Sequence, residues 1–158
     1  MNREFKDAIE NSPIIAAIKN DAELHQCLTC DSQVIFILYG DLCNIADIVD
    51  TVKSAGKIAL VHLDLIGGLN AKEIAVDFIK KYTRADGIIS TRPQLIRHAK
   101  ELSLYTVMRF FVIDSMAYDN IEKQLHAVRP DFIEILPALM PKVISRICDL
   151  SPVPVIAG

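Results

Sequence analysis

Two parts of the chain place ionisable side chains inside aliphatic strands, where bare hydrocarbon would be expected. In KIALVHLDLIGG (57–68), the apolar run Ile58 to Val61 leads into His62 and Asp64, then into Gly67 and Gly68. Residues two apart on a strand share a face, so His62 and Asp64 are expected to project together at the strand's end. A histidine beside a carboxylate either moves a proton, orders a ligand or makes a polar pair inside the fold. Further on, Arg109 sits among Val107, Met108, Phe110, Phe111 and Val112, and Glu134 sits between Ile133 and Ile135. Either charge is costly to bury alone. The two strands are successive, so a parallel sheet sets the pair side by side. Such a pair either neutralises itself or lends a guanidinium to an anionic or hydroxylated ligand, with Glu134 fixing it or accepting from a hydroxyl.

Ser90 and Thr91 end another apolar run, DGIIST (86–91). Their hydroxyls, or the amides of the helix they open, suit an anion; equally, Thr91 suits the N-cap of that helix, with Pro93 in its first turn. CLTC (Cys27–Cys30), with His25 nearby, has the spacing of a redox or zinc motif. It closes a helical segment rather than opening one, and a second ligand pair is not apparent. The four cysteines therefore read as reduced thiols, with no metal site and no cofactor expected. No lysine falls at the C-terminal end of any strand assigned here, which argues against Schiff-base aldolase chemistry.

The elements that must position these residues follow from a repeating pattern. Short aliphatic runs recur at 13–18, 33–40, 57–64, 86–91, 104–114, 131–137 and 154–158. Between them lie segments with helical spacing: Ile45, Ile48, Val49 and Val52 form one stripe stopped by Gly56, and Ile74, Phe78, Ile79 and Tyr82 form another. Asp114 or Ser115 suits the cap of a later helix. Strands alternating with helices indicate βαβ units and a parallel sheet. The first strand is not followed by the glycine fingerprint of a dinucleotide-binding sheet. Polar residues instead gather towards the C-terminal ends of strands, at Asp41, Asp64, Ser90 and Asp114, with Arg109 and Glu134 inside theirs. That placement favours an α/β, TIM-type (β/α)8 barrel, whose binding face is the C-terminal rim. Seven strands are countable, the last ending at Gly158, so the expectation is one barrel domain over 1–158, cut short after its seventh strand.

The chain has 158 residues, 51% of them hydrophobic and none of them tryptophan, and a net charge of −3. A substantial core is within reach, and the aliphatic bias suits strands buried on both faces. No apolar run approaches the ~18–20 residues of a membrane span, and the polar start MNREFKDAIENS has no signal-peptide core; a cytoplasmic location is the default. A mildly acidic chain can still hold nucleic acid on a local basic patch. Lys80, Lys81 and Arg84 make one such cluster; Arg92, Arg97 and Lys100, and Lys142 with Arg146, make others. All of them also suit plain solvated helix faces.

HLDLIGGL, DGIISTR, MRFFVIDS, IEILPALMPK and the terminal PVIAG, in this order, closely resemble the glycerol uptake operon antiterminator regulatory proteins, and the likeness spans nearly the whole chain. The resemblance implies a barrel related to phosphosugar-binding TIM barrels and a regulatory, non-catalytic role. It implies sensing of glycerol 3-phosphate and action on the leader mRNA of glycerol-utilisation genes. By position it implies ligand contacts from His62, Asp64, Ser90, Thr91, Arg109 and Glu134. Gly158 matches the first glycine of the family's Ala-Gly-Gly phosphate loop; the second glycine, the eighth strand and its serine-threonine turn lie beyond this sequence. Gly67 and Gly68 are expected to loosen the loop over the site, and Lys80, Lys81 and Arg84 stand as the RNA-binding candidates. A homo-oligomer is compatible with this reading. The competing function is an enzyme on a phosphosugar or glycerophosphodiester, using His62, Asp64 and Glu134 as acid–base groups.

Overall fold

The computed structural model describes residues 3–158; Met1 and Asn2 of the polar N-terminal stretch lie outside the described residues. Seven strands, β1 (Ala16–Ile18), β2 (Val34–Ile37), β3 (Ile58–His62), β4 (Gly87–Ser90), β5 (Tyr105–Phe111), β6 (Phe132–Leu136) and β7 (Val155–Ala157), form one sheet in sequence order. Every neighbouring pair is parallel. The connections carry α2 (Asp21–Cys27), α3 (Ile45–Ser54), α4 (Glu73–Tyr82), α5 (Pro93–Glu101), α6 (Ser115–Val128) and α7 (Pro141–Leu150), and α1 (Arg3–Asn11) precedes the sheet. Side chains from β1 and β2 line the same cavity as side chains from β5, β6 and β7, so the sheet curls around an interior. The fold is an α/β half-barrel of seven parallel strands, consistent with a TIM-like fold, with β1 and β7 as the edges of the sheet.

Alternation along the strands divides the apolar residues into two cores. The outward residues, such as Ile35, Ile37, Ala59, Val61, Ile88 and Met108, pack under the helices; the inward residues, Val34, Phe36, Ile58, Leu60, Ile89, Val107 and Phe132, fill the barrel. The stripe Ile45, Ile48, Val49 and Val52 on α3 is buried as its spacing requires, and Gly56, at φ +75, ends that segment.

The stripe assigned to α4 is displaced. Ala75, Val76 and Ile79 face the sheet, while Ile74 and Tyr82 are exposed. Positions 74, 78 and 82 run along one edge of the helix, and the small Ala75 lets the neighbouring face pack closer. The polar N-terminal stretch is a helix whose Phe5 and Ala8 join the inward core. Phe5 stacks on Tyr105 at 4.6 Å and meets Phe132 edge-on at 5.0 Å, closing the barrel at the N-terminal ends of β5 and β6. The loop holding Gly67 and Gly68 is tied down rather than loosened: Gly67 donates to Gly40 O and accepts from Leu42 N. Gly68 has φ +84, and a Cβ there would meet Leu42 at 2.8 Å. These glycines let two rim loops pack closely.

Candidate functional site

Above the apolar filling, the barrel interior turns polar. Arg109 and Glu134 are register partners on β5 and β6. Their side chains meet in a fork, Arg109 Nε donating to Glu134 Oε2 at 2.6 Å and Nη2 to Oε1 at 3.2 Å. Both are more than nine-tenths buried, so each neutralises a charge the other could not bear alone. The pair also accounts for Gly158. A Cβ at that position would lie 2.6 Å from Glu134 Oε1, so only glycine leaves room for the carboxylate. Gly158 N donates to Ile135 O and Gly158 O accepts from Ala138 N. The Gly158 amide thus extends the sheet, and the residue's lack of a side chain makes room for Glu134.

His62 ends β3 on the inward side, above Leu60. It is 3% exposed, and its Nδ1 is buried without a hydrogen-bond partner. Burial, and next the Arg109 cation, push its pKa down to about 4, with Asp64 opposing. The ring is therefore neutral at pH 7, with a buried nitrogen whose hydrogen-bonding capacity is unused.

Asp64 departs from its expected place. The strand stops at His62, and Asp64 lies in the 3-10 turn Leu63–Leu65, so the pair does not share a strand face. The turn nevertheless brings Asp64 Oδ2 to 3.9 Å from His62 Nδ1. The Asp64 carboxylate is already surrounded. It accepts from Ser90 Oγ at 3.1 Å, Thr91 N at 2.8 Å and Thr91 Oγ1 at 3.2 Å, and Arg92 Nε stands 3.3 Å away. Asp64 fastens the end of β3 to the turn after β4. Ser90 and Thr91 act mainly through it, and Thr91 is not the cap of α5: Arg92 occupies that position, with its amide donating to Ser90 Oγ. Asp114 does cap α6, accepting from Ala117 N at 2.8 Å.

Arg109, Glu134 and Gly158 line a cavity of about 730 Å3 whose apolar wall includes Phe36, Leu38 and Ile156. The same cavity is lined by Lys19, the residue directly after β1. This overturns the expectation that no lysine ends a strand. The aliphatic run 13–18 ended one residue short of it, and Ala17, which pairs with the inward-facing Phe36, supplies the phase that points Lys19 inward. CLTC makes no comparable site. Cys27 Sγ and Cys30 Sγ donate to Leu24 O and Cys27 O, and burial raises the Cys27 thiol pKa, the reverse of what a reactive thiolate needs.

Residues 14–158 match the glycerol-3-phosphate responsive antiterminator family. The chain belongs to that family. It is 41% identical to the Escherichia coli protein YgcP over 150 residues, 95% of this chain and 78% of YgcP. Its fold matches the crystal structure of a glycerol uptake operon antiterminator regulatory protein from Listeria monocytogenes with TM-score 0.87 and 33% identity, covering 91% of this chain and 78% of that one. A glycerol uptake operon antiterminator-related protein from Thermotoga maritima matches with TM-score 0.78 and 33% identity, over 90% of this chain and 80% of that one. A U32 peptidase shares the fold alone, at 16% identity and TM-score 0.64.

In a member of a regulatory antiterminator family, the placement of the other expected residues becomes informative. Lys80, Lys81 and Arg84 fall at and just after the C-terminus of α4. The chain passes from there into the N-terminal end of β4, so the cluster lies at the opposite end of the barrel from His62. Arg84 Nη1 stands 3.7 Å from Asp50, and Lys81 lies against the Tyr82 ring. The acid–base groups that an enzyme would need are committed. Glu134 is pinned by Arg109, Asp64 is saturated by donors, and His62 with a pKa near 4 is a poor base at neutral pH. No helix among the described residues is long and apolar enough to cross a membrane.

Proposed function

We propose that this antiterminator senses glycerol 3-phosphate in the barrel interior and, through that occupancy, governs its hold on the leader mRNA of glycerol-utilisation genes. One observation carries the ligand half: a buried, forked Arg109–Glu134 pair lines a cavity of about 730 Å3. His62, whose Nδ1 has no hydrogen-bond partner, is outside that lining but near enough to Arg109 for the cation to lower its pKa. Glu134 takes two of the five N–H groups of Arg109 and fixes the plane of the guanidinium; the others are free for a polyol oxygen. Neutral His62 gives or takes a hydrogen bond according to its tautomer, which suits a hydroxyl. Asp64, Ser90 and Thr91 hold the rim around these groups.

Ligand affects RNA only if it binds one rim arrangement better than another. Phe111, at the end of β5, and Ile113 and Leu139, in the segments after β5 and β6, are exposed, and ordering this rim on ligand binding supplies such a difference. Lys80 and Lys81 are the cations assigned to RNA phosphates.

The test is calorimetric titration of glycerol 3-phosphate into the wild type, Arg109→Met and Arg109→Lys, with circular dichroism confirming each fold. Saturable binding that falls at least about tenfold in both variants supports the site, because lysine keeps the charge without the fork. Equal affinity in all three removes Arg109 from it. Leader-RNA binding, followed with and without glycerol 3-phosphate at several salt concentrations, should respond to the ligand. It should lose salt sensitivity in the double variant Lys80→Ala/Lys81→Ala; an unchanged salt slope moves the RNA surface elsewhere.

A further inference from the structure

We infer that Lys19 is the anion-holding residue of the cavity, and that together with Arg109 it receives a phosphomonoester group. The inference rests on the ligand reading above for the glycerol part, though not for the anion.

The charge pattern of the lining leads to it. Arg109 is matched by Glu134, and Lys6 is matched by Glu10 at 3.4 Å. Lys19 is the remaining charged residue of the lining, and among the described residues its ammonium has no hydrogen-bond or ion-pair partner. Among the charged side chains of this mostly hydrocarbon lining, Lys19 is thus the one whose charged group is not engaged by a neighbour. A neutral polyol leaves that charge unsatisfied, whereas an anion is drawn to it.

The backbone beneath Lys19 is firmly held. Leu38 N donates to Ile18 O, extending the β1–β2 ladder by one step. Lys19 N donates to Glu23 Oε2 at 2.7 Å, and the next residue, Asn20, caps α2 by accepting from Glu23 N at 2.9 Å. The flexible part is confined to the side chain, which delivers three donors from the β1 wall. Arg109 delivers its unused N–H groups from the β5 wall. A phosphomonoester has three oxygens and up to two negative charges. It can take donors from both walls at once, whereas a carboxylate has only two oxygens to divide between them. Lys19 thereby takes the part that the family resemblance had suggested for Gly158.

The experiment titrates inorganic phosphate, glycerol 3-phosphate and glycerol into the wild type, Lys19→Met and Lys19→Arg. Lys19 is solvent-exposed and belongs to the cavity lining, so its replacement leaves the core intact, and the arginine variant restores the charge. The expected result is binding of both anions by the wild type, at least about tenfold weaker binding of both in Lys19→Met, and substantial recovery in Lys19→Arg. If glycerol 3-phosphate binds the wild type and Lys19→Met alike, the inference is overturned while the sensor reading stands. If inorganic phosphate binds in a Lys19-dependent way but glycerol 3-phosphate binds no tighter than phosphate, the anion site stands and the sensor reading falls. Failure of both anions to bind the wild type overturns both.

Discussion

The two ends of this barrel treat polar groups in opposite ways. At the N-terminal end of the sheet, groups that could reach for a ligand are occupied by the chain itself. Asp86 accepts from Ala59 N at 2.8 Å and pairs with Lys53 at 2.7 Å. Asp131 accepts from both the amide and the hydroxyl of Thr106 at 2.9 Å. Lys57, itself buried, donates to Cys30 O and Ser32 O, and Phe5 seals the interior. At the C-terminal end, His62 Nδ1 and the Lys19 ammonium are left without hydrogen-bond partners among the described residues, and apolar side chains stand in solvent. Buried polar groups in folded proteins are ordinarily paired. The end where that habit lapses is the end to which the proposed binding site is assigned.

The largest effect should come from opening the sealed end. Phe5→Ala removes a fully buried ring that packs on Tyr105 and Phe132. It should cost about 3–5 kcal/mol of stability, read from urea denaturation, while leaving the affinity for inorganic phosphate unchanged in protein that remains folded. A parallel loss of affinity would mean that the two ends are not independent.

Next in size is the acid response of the binding end. His62 has a folded pKa of about 4 against an ordinary value of 6.5, so the unfolded chain binds its proton first. Its contribution to stability is complete above pH 6.5 and is lost as pH falls towards 4, amounting to about 3 kcal/mol. Denaturation midpoints between pH 7 and 4 should therefore fall more steeply in the wild type than in His62→Gln. Parallel pH profiles would show that the ring is protonated without penalty, and so is wetter than its burial implies.

Much of this division could be read from the sequence. Alternating aliphatic runs and amphipathic stripes gave seven strands at their observed places, because a strand buried on both faces leaves an unmistakable run of Val, Ile and Leu. Arg109 and Glu134 were legible as partners because charges in such runs must be paired. The failures have physical causes. A period of two carries Asp64 into the strand because it says nothing about where a 3-10 turn begins. The helix carrying Phe5 was hidden by its charged neighbours, its apolar face being narrow. Lys19 is hidden because it directly follows both the aliphatic run 13–18 and β1, so only the inward phase of Ala17 reveals it. The orphaned His62 nitrogen was not foreseeable at all, since the absence of a partner is a property of tertiary packing.

The smallest of the stability effects separates the two ends most finely. Gly87, at the start of β4, and Gly158, after β7, both lack room for a side chain. A Cβ at Gly87 would lie 2.4 Å from the main-chain oxygen of Tyr105, whereas one at Gly158 meets Glu134 Oε1. Main chain in a parallel sheet cannot give way cheaply, but a carboxylate can turn. Gly158→Ala should accordingly cost only about 1 kcal/mol, the low end of what overpacking exacts. It should do so by swinging Glu134 and breaking the fork that holds Arg109. The signature is a mismatch: a small shift in the urea midpoint with a severalfold weakening of glycerol 3-phosphate binding. If affinity holds while stability falls, Glu134 neutralises Arg109 without aiming it, and the binding end owes less to this ion pair than to Lys19 and His62.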